Sequence, residues 1–296
     1  MNASMAMLCI IWGFNFVIMK LGNGAFPPVL FAAFRFLTGA IVLLGVSLMR
    51  RIFLPNRSDL KWYILCGFFQ TTYFNIAIQI SLNYVSAGLT SVLTYSMPLF
   101  LSIMAHLWIP GEQLTVRKTF GIVLGLFGLF LAMNIHIGGS LWAVLLALSS
   151  AISWAAANLL FKLKLKHCDS IQFTTWQMTI GAVGLLVYSL SFEDGGSNWG
   201  FMPVVYILFS GIVASALTFV MWNHILSRTE ASKASISLLL VPVVGVISGC
   251  LFLQESFEIH TLVGIMLVLV GIWIVNRKRN PDATVKGQRS LVSKEL

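Results

Sequence analysis

Long apolar stretches, separated by short polar breaks, constrain this chain more than any other feature of its sequence. A helix needs about 20 apolar residues to cross the hydrocarbon of a bilayer, whereas the strands of a membrane barrel are alternating segments of about ten residues. The sequence therefore predicts an all-α membrane protein. We expect ten transmembrane helices, at 3–21, 28–48, 62–82, 87–109, 117–135, 141–161, 171–191, 201–226, 232–253 and 260–276.

The composition excludes a water-soluble globular domain. Hydrophobic residues make up 58% of the 296 residues, charged residues only 10%, and the mean hydropathy is +0.88. The first apolar stretch follows Met1 without a basic segment or a cleavage site, so we expect it to be retained as a span. The four cysteines are scattered singly and show no metal-ligand spacing, which predicts packing residues, no metal site and no cofactor.

The distribution of basic residues predicts the orientation in the membrane. With the N-terminus in the cytoplasm, only Lys20 and Arg35 among the nineteen lysines and arginines fall outside the cytoplasmic loops and tails. This positive-inside bias favours an even number of spans, cytoplasmic N- and C-termini and location in the cell membrane. The net charge of +9 is then explained by topology and by the anionic inner leaflet, and no nucleic-acid partner is expected.

The chain reads as two copies of one half. "WGFNFVIMK" resembles "WAAANLLFK", "FAAFRFLTG" resembles "FTTWQMTIG", and "AGLTSVLTYSMP" resembles "ASKASISLLLVP". From Glu112 and from Glu255 the spacing to the next two repeated glycines is the same. We expect one repeat in residues 1–136, a second in 137–276, and a disordered basic tail in 277–296.

An odd number of spans in each repeat means that the second copy enters the membrane from the opposite side. Inverted repeats are common in secondary transporters, which expose a central cavity to each side in turn. The alternative is that duplication only builds a stable bundle, as in a membrane scaffold or receptor. An enzyme is not expected, because the sequence lacks a phosphate-binding loop, GxSxG, HExxH and paired acids within a span.

The motifs also resemble a known family. "WGFNFVIMK" followed by "PPVLFAAFRF", together with "SLLLVPVVGV", "LQE" and "VGIMLVLVGIWI", is similar to ten-helix, EamA-type members of the drug/metabolite transporter superfamily. The resemblance covers nearly all of residues 1–276. It implies a bundle of ten helices around a central cavity that exports small metabolites, similar to exporters of amino acids and cysteine-pathway metabolites. An exporter of drug-like or purine-type compounds is the alternative.

Polar and aromatic residues within the spans are the candidates for the substrate cavity. Arg35 is too deep to face lipid, so we expect it to face the bundle, where it binds either a substrate carboxylate or carbonyl groups freed at a helix break. Pro98 and Pro242 are expected to kink their helices as gates. The other predicted cavity residues are Trp12, Asn15, Gln70, Tyr73, Asn75, Thr94, Tyr95, Trp154, Asn158, Trp176, Gln177, Thr218, Trp222 and Asn223.

The acidic residues narrow the mechanism, because none lies in the middle of a span. Glu112 and Glu255 are expected to cap or turn the ends of the fourth and ninth spans. A buried carboxylate is the usual proton carrier of an antiporter, so we expect facilitated diffusion, with His106 or His224 as the alternative proton carriers. The expected partners are a small-molecule substrate and the lipid bilayer, with no obligate protein partner.

Overall fold

Helices form all the regular structure in the described part of the chain. Many apolar side chains in mid-helix point outward, among them Ile41, Phe127 and Val187, which are 59%, 58% and 60% exposed. Such an apolar exterior suits contact with lipid and is costly in water. The structure is a computed structural model, and it describes residues 3–52, 54–82, 84, 93–132, 141–253 and 259–276.

Eleven helical segments are present in those residues. Helices α3, α6 and α8 are each continuous but contain a π-helical segment, at Phe68–Tyr73, Phe161–Leu165 and Phe209–Leu217. The segments are α1 Ala3–Asn23, α2 Pro28–Met49, α3 60–82, α4 Met97–Trp108, α5 Val116–Ala132, α6 Leu141–Leu165, α7 Ser170–Phe192, α8 Phe201–Arg228, α9 Ala231–Ser237, α10 Leu240–Leu253 and α11 Ile259–Asn276.

Four of these helices, α1, α2, α6 and α8, are long and apolar enough to cross a membrane. At the two prolines expected to kink a helix, the structure has a turn followed by a new helix. Pro98 lies in the first turn of α4, and Pro242 lies in the first turn of α10, after a turn at 238–239. Proline is well tolerated at this position because the first turn of a helix has no acceptor for its N–H groups.

Helices α2 and α7 pack antiparallel along their length. At one end, the hydroxyls of Ser47 and Thr175 are 2.9 Å apart. At the other end, the carboxylate of Glu193 accepts hydrogen bonds of 2.9 Å from the N–H groups of Val29 and Leu30. A carboxylate at the start of α2 satisfies donors that the helix leaves free and suits the positive end of its dipole.

Helices α5 and α11 also pack antiparallel, and their backbones touch at glycines. A Cβ at Gly271 would lie 2.6 Å from the carbonyl oxygen of Gly121, and a Cβ at Gly128 would lie 2.7 Å from the carbonyl oxygen of Gly264. No side chain fits between backbones at this distance. These are the four glycines whose spacing repeats in the two halves of the sequence.

Two further helix contacts resemble one another. Gly211 of α8 packs on the carbonyl of Arg35 in α2, and Gly67 of α3 packs on the carbonyl of Gln177 in α7. Arg35 and Gln177 occupy equivalent positions in "FAAFRFLTG" and "FTTWQMTIG". The α2–α8 and α7–α3 contacts are therefore built alike.

One end of the bundle is basic. The start of α1, the end of α2, the start of α7 and the end of α8 meet there around Ser4, Arg50, Ser170 and His224. We call it the basic end; the basic residues at the helix ends and loops of this side are Arg50, Arg51, Arg57, Lys61, Arg117, Lys118, Lys162, Lys164, Lys166, Arg228 and Lys233. The start of α2 and the end of α7 lie at the opposite end, which we call the Glu193 end.

We predict that Gly271→Ala destabilises the protein by about 1–3 kcal/mol, because its methyl group would push the α5 and α11 backbones apart. The melting temperature of the purified protein in detergent measures the change. Gly45→Ala in α2 is the control, since nothing lies within 4 Å of its added Cβ, and there the melting temperature stays the same or rises. An equal effect of the two variants would contradict the contact.

Candidate functional site

Aromatic side chains from six parts of the chain meet in the middle of the bundle. The rings of Trp12 and Trp154, which start the matching motifs of the two halves, are 6.0 Å apart at 71°. Trp12 also contacts Phe219 and Trp222. We call this group the central aromatic cluster; its members are Trp12, Phe36, Phe74, Tyr95, Trp154, Phe219 and Trp222.

The three indole N–H groups of the cluster differ in their hydrogen bonding. Trp222 Nε1 donates to Asn158 Oδ1 at 3.0 Å, and Trp12 Nε1 donates to the carbonyl oxygen of Ala214 at 3.0 Å. Trp154 Nε1 is buried and has no acceptor among the described residues. A buried donor without an acceptor costs free energy, so this position is available to a ligand that offers one.

The π-helical segments supply acceptors to neighbouring helices. The wider turn of a π-helix leaves carbonyl groups free to bind other partners. Ala214 in the α8 segment accepts from Trp12, and Phe69 in the α3 segment accepts from the hydroxyl of Ser153 at 2.8 Å. The two π segments therefore hold α1 and α6 in place next to the cluster.

Arg35 is 7% exposed and lies beside the α3 π segment. Its Nη2 donates to Asn75 Oδ1 at 2.7 Å, and Asn75 Nδ2 donates to the carbonyl oxygen of Thr71 at 2.6 Å. Its Nη1 contacts the sulfur of Met19, and its Nε has no partner. No carboxylate of the described residues forms an ion pair with Arg35. Arg35 therefore contacts the π segment of α3 through Asn75 and does not bind its carbonyl groups directly.

Gln70 and Thr94 carry further buried, unpaired polar atoms, and each lies close in sequence to a residue that contacts Trp154. Gln70 is 1% exposed, and neither atom of its amide has a hydrogen-bond partner in the described part of the chain. It lies one helical turn before Phe74, whose ring is 5.2 Å from that of Trp154. Thr94, with an unpaired hydroxyl, precedes Tyr95, which contacts the same tryptophan.

A second group of predicted residues is hydrogen-bonded to its neighbours, although Asn223 Oδ1 has no partner among the described residues. Gln177 Nε2 donates to the hydroxyl of Thr71 at 3.3 Å, and Asn223 Nδ2 donates to that of Thr174 at 2.9 Å. Asn15 Oδ1 accepts from the hydroxyl of Ser210 at 2.7 Å. These contacts hold α1, α3, α7 and α8 together and leave little bonding capacity for a ligand.

The structure does not bring every predicted site residue to the centre. The hydroxyl of Tyr73 is 2.8 Å from that of Ser149, at the contact between α3 and α6. Thr218 donates to Ala214 within its own helix. Trp176 is half-buried at the edge of the core and is not among the rings of the cluster.

Phe36, Phe74 and Phe219 belong to the cluster but were not predicted. Phenylalanine occurs 22 times in this chain, mostly within apolar stretches, so the sequence does not distinguish a central ring from a lipid-facing one. For Phe36, the preceding Arg35 was a sequence signal of a central position, and the centre of the Phe36 ring lies 4.6 Å from the guanidinium carbon of Arg35.

A cavity of about 380 Å³ lies at the basic end. Arg50, Asp169 and His224 contribute its polar groups, and Val220, Met221 and Ile225 contribute part of its apolar wall. None of the residues predicted to line the central cavity lines this one. His224, considered from the sequence as a proton carrier, does.

A network of charged residues joins different parts of the chain at the basic end. Glu112, 7% exposed, accepts from the N–H groups of Ala231 and Ser232 and lies 3.8 Å from Lys162 Nζ. Glu112 lies in the turn that follows α4, where its N–H donates to the carbonyl oxygen of Ile109, and its carboxylate caps the start of α9 rather than its own span. Glu255, expected to act likewise, lies outside the described residues.

Glu230 extends this network, since Lys118 and Lys233 donate to its two carboxylate oxygens at 2.7 and 2.6 Å. Burial alone would raise the pKa of Glu230, but the two lysines outweigh burial and hold the pKa below its ordinary value. The Lys118–Glu230 salt bridge joins the start of α5 to the short connection between α8 and α9, and the Lys233–Glu230 salt bridge joins that connection to α9.

Comparison with known proteins assigns the chain to a family. The EamA-like transporter family matches residues 2–134 and again residues 141–277. The chain belongs to the EamA-like transporter family. It is thus a member of a membrane-protein family of the drug/metabolite transporter superfamily, and its relatives are transporters rather than enzymes.

Two relatives and one solved structure illustrate the similarity. "Uncharacterized transporter YoaV" of Bacillus subtilis is 36% identical, over 90% of this chain and 92% of that protein. A "Probable amino-acid metabolite efflux pump" of Escherichia coli is 26% identical, over 90% and 92%. One protein of known crystal structure has the same fold, with a TM-score of 0.80 at 16% identity over 93% of this chain and 98% of the other.

We expect Trp222→Phe and Trp154→Phe to differ in stability although both remove the same volume. The first leaves the Asn158 oxygen unpaired and costs about 1–3 kcal/mol more than the second, which removes a donor that has no partner. Thermal unfolding in detergent, without added solutes, measures the difference. Equal melting temperatures would show that the Trp222–Asn158 hydrogen bond contributes nothing.

Proposed function

We propose that this EamA-family protein is a secondary transporter that exports amino acids or related small metabolites across the cell membrane. The observation that carries the proposal is the buried, unpaired indole N–H of Trp154 in the central aromatic cluster, together with the unpaired polar atoms of Gln70 and Thr94, which lie within four residues of the cluster members Phe74 and Tyr95. Buried polar atoms cost free energy unless they are bonded, and a passing substrate would bond them. In a membrane scaffold the same atoms would have no substrate to bind.

The second part of the proposal is that ten spans form two inverted five-helix repeats. Three observations support it. Equivalent helices pack antiparallel, α2 with α7 and α5 with α11. The tryptophans that begin the two matching motifs meet at the centre. The family matches the first and second halves of the chain separately. Rocking of one half against the other would expose the cluster to each side in turn.

The third part of the proposal is the orientation in the membrane, which the position of the basic residues supports. Eleven described basic residues lie at that end, whereas Lys20 lies toward the Glu193 end. The positive-inside rule then puts the basic end in the cytoplasm, together with both termini. The cavity at the basic end opens between α1, α2, α7 and α8, as a cytoplasmic entrance to the cluster would.

The chemistry of the centre suits a small solute with polar groups and an apolar part. Aromatic rings supply apolar contact area, and Gln70 offers both a donor and an acceptor. Arg35 is committed to Asn75, which supports a structural role for it. The names of the Escherichia coli and Salmonella typhimurium relatives, each 26% identical, point to amino-acid metabolites as substrates.

Facilitated diffusion is the mechanism we propose. Within the described helices, no aspartate or glutamate is buried among the rings of the central aromatic cluster, so no carboxylate there is placed to carry a coupled proton. Efflux would then follow the outward gradient of the substrate. A proton gradient should leave its rate unchanged.

Efflux from proteoliposomes loaded with labelled amino acids tests the transport proposal. We expect Gln70→Leu to fold as well as wild type and to slow efflux about 5- to 150-fold, which corresponds to the loss of one bond to a buried partner. Gln177→Leu is the contrast: its amide is already bonded within the protein, so its main effect is lower stability. Folded wild type that moves no amino acid would refute the proposal, and purines in the same panel would identify the alternative.

Thiol labelling tests the orientation independently of the substrate. Arg57→Cys lies in the segment before α3 at the basic end, and Gly196→Cys lies between α7 and α8, where an added Cβ meets nothing within 4 Å. In intact cells, an impermeant reagent should label the cysteine at 196 and should reach the one at 57 only after permeabilisation. Labelling of both from outside would rule out the proposed topology.

A further inference from the structure

Three metal-ligating side chains meet at the basic end, away from the central aromatic cluster. Asp59 immediately precedes α3, and His167 and Cys168 form the turn between α6 and α7. One ligand atom of each, Asp59 Oδ2, His167 Nε2 and Cys168 Sγ, lies within 4.8 Å of the other two. The sequence predicted no metal site because Asp59 lies 108 residues before His167.

Two of the three edges of the triangle formed by these atoms have the lengths of a tetrahedral zinc site, and the third is about 0.5 Å longer. With bonds to zinc of about 2.0 Å from nitrogen and oxygen and about 2.3 Å from sulfur, neighbouring ligands are about 3.3 Å apart for N and O and about 3.5 Å apart when one is sulfur. The structure has 3.3 Å between His167 Nε2 and Asp59 Oδ2, and 3.5 Å between Cys168 Sγ and His167 Nε2. The third edge, between Cys168 Sγ and Asp59 Oδ2, is 4.0 Å.

Hydrogen bonds hold the segment before α3 and the start of α7 in a fixed position relative to each other. Gln172 Nε2 donates to the carbonyl oxygens of Ile52 and Leu54 at 2.7 and 2.9 Å, so it ties the start of α7 to the segment before α3. Gln172 Oε1 accepts from the hydroxyl of the buried Tyr63 at 3.1 Å. Asp169 caps α7 one residue after Cys168. A metal would therefore find its three ligands on fixed helix ends.

The ligand set selects the class of metal. A thiolate and an imidazole favour Zn²⁺, Co²⁺ or Ni²⁺, whereas Mg²⁺ and Ca²⁺ require oxygen ligands and high negative charge. His167 is 58% exposed, which leaves room for water as the fourth ligand.

We propose that Asp59, His167 and Cys168 bind a divalent transition metal of the zinc class. A thiol binds zinc as the thiolate, so metal binding at Cys168 would release the thiol proton. The bound ion would join the segment before α3, in the first matching half, to the turn before α7, in the second. It would thereby fix the basic end in one conformation.

Zinc titration of the full-length protein in detergent, with any purification tag removed, tests the site. We expect one Zn²⁺ per chain, a higher melting temperature with zinc, and a thiolate-to-metal absorption band with Co²⁺. Cys168→Ser, His167→Gln and Asp59→Asn should each weaken binding at least about 10-fold, and Cys168→Ser should abolish the cobalt band. These readouts do not depend on transport.

His224→Gln and Asp194→Asn are matched controls, because both residues are exposed and lie outside the cluster of three ligands. They should bind zinc as wild type does. The proposal is overturned if folded wild type does not bind zinc, or if the three ligand variants retain wild-type affinity. It is also overturned if the controls lose binding to the same extent as the ligand variants.

Discussion

A polar group inside a bundle of apolar helices has to find a partner within the protein, because lipid offers none. Part of the interior meets this requirement through the π segments, because their carbonyls accept from Trp12, Ser153 and Asn75, and Asn75 in turn accepts from Arg35. These contacts link α1, α2, α3, α6 and α8. Several buried polar atoms have no partner among the described residues, and those of Trp154, Gln70 and Thr94 belong to the central aromatic cluster or lie close to it in sequence, which is why we propose the cluster as the substrate site.

Close backbone contact at glycines is the second constraint. Between apolar helices in lipid, association depends on van der Waals packing, so small residues that let backbones touch are favoured. The α5–α11 and α2–α8 contacts are of this kind, and Gly13 of α1 packs on α10 in the same way. Glycine contacts therefore position several of the helices whose aromatic rings form the centre.

The family and the helical architecture were predictable from the sequence, because apolar length and repeated glycines leave few alternatives. The predictions that failed or stayed incomplete depend on distant residues. Glu112 turns the end of its own span as expected, but its carboxylate caps α9, whose first N–H groups belong to residues 119 and 120 positions later in the chain. Asp59 joins His167 and Cys168 only through folding. Arg35 was recognised, but its partner Asn75 depends on the π segment of α3, which the sequence pattern does not indicate.

The carboxylates of Glu112 and Glu193 have a consequence for how the bundle can move. Each comes from one half of the chain and caps a helix of the other: Glu112 caps α9 at the basic end, and Glu193 caps α2 at the opposite end. Separation of the halves at one end of the bundle would therefore break the carboxylate cap at that end and leave the cap at the other end intact. If the two halves rock as proposed, two helix caps of similar chemistry at opposite ends would keep the free energies of the inward- and outward-open forms close. Neither form would then be stable enough to retain the substrate.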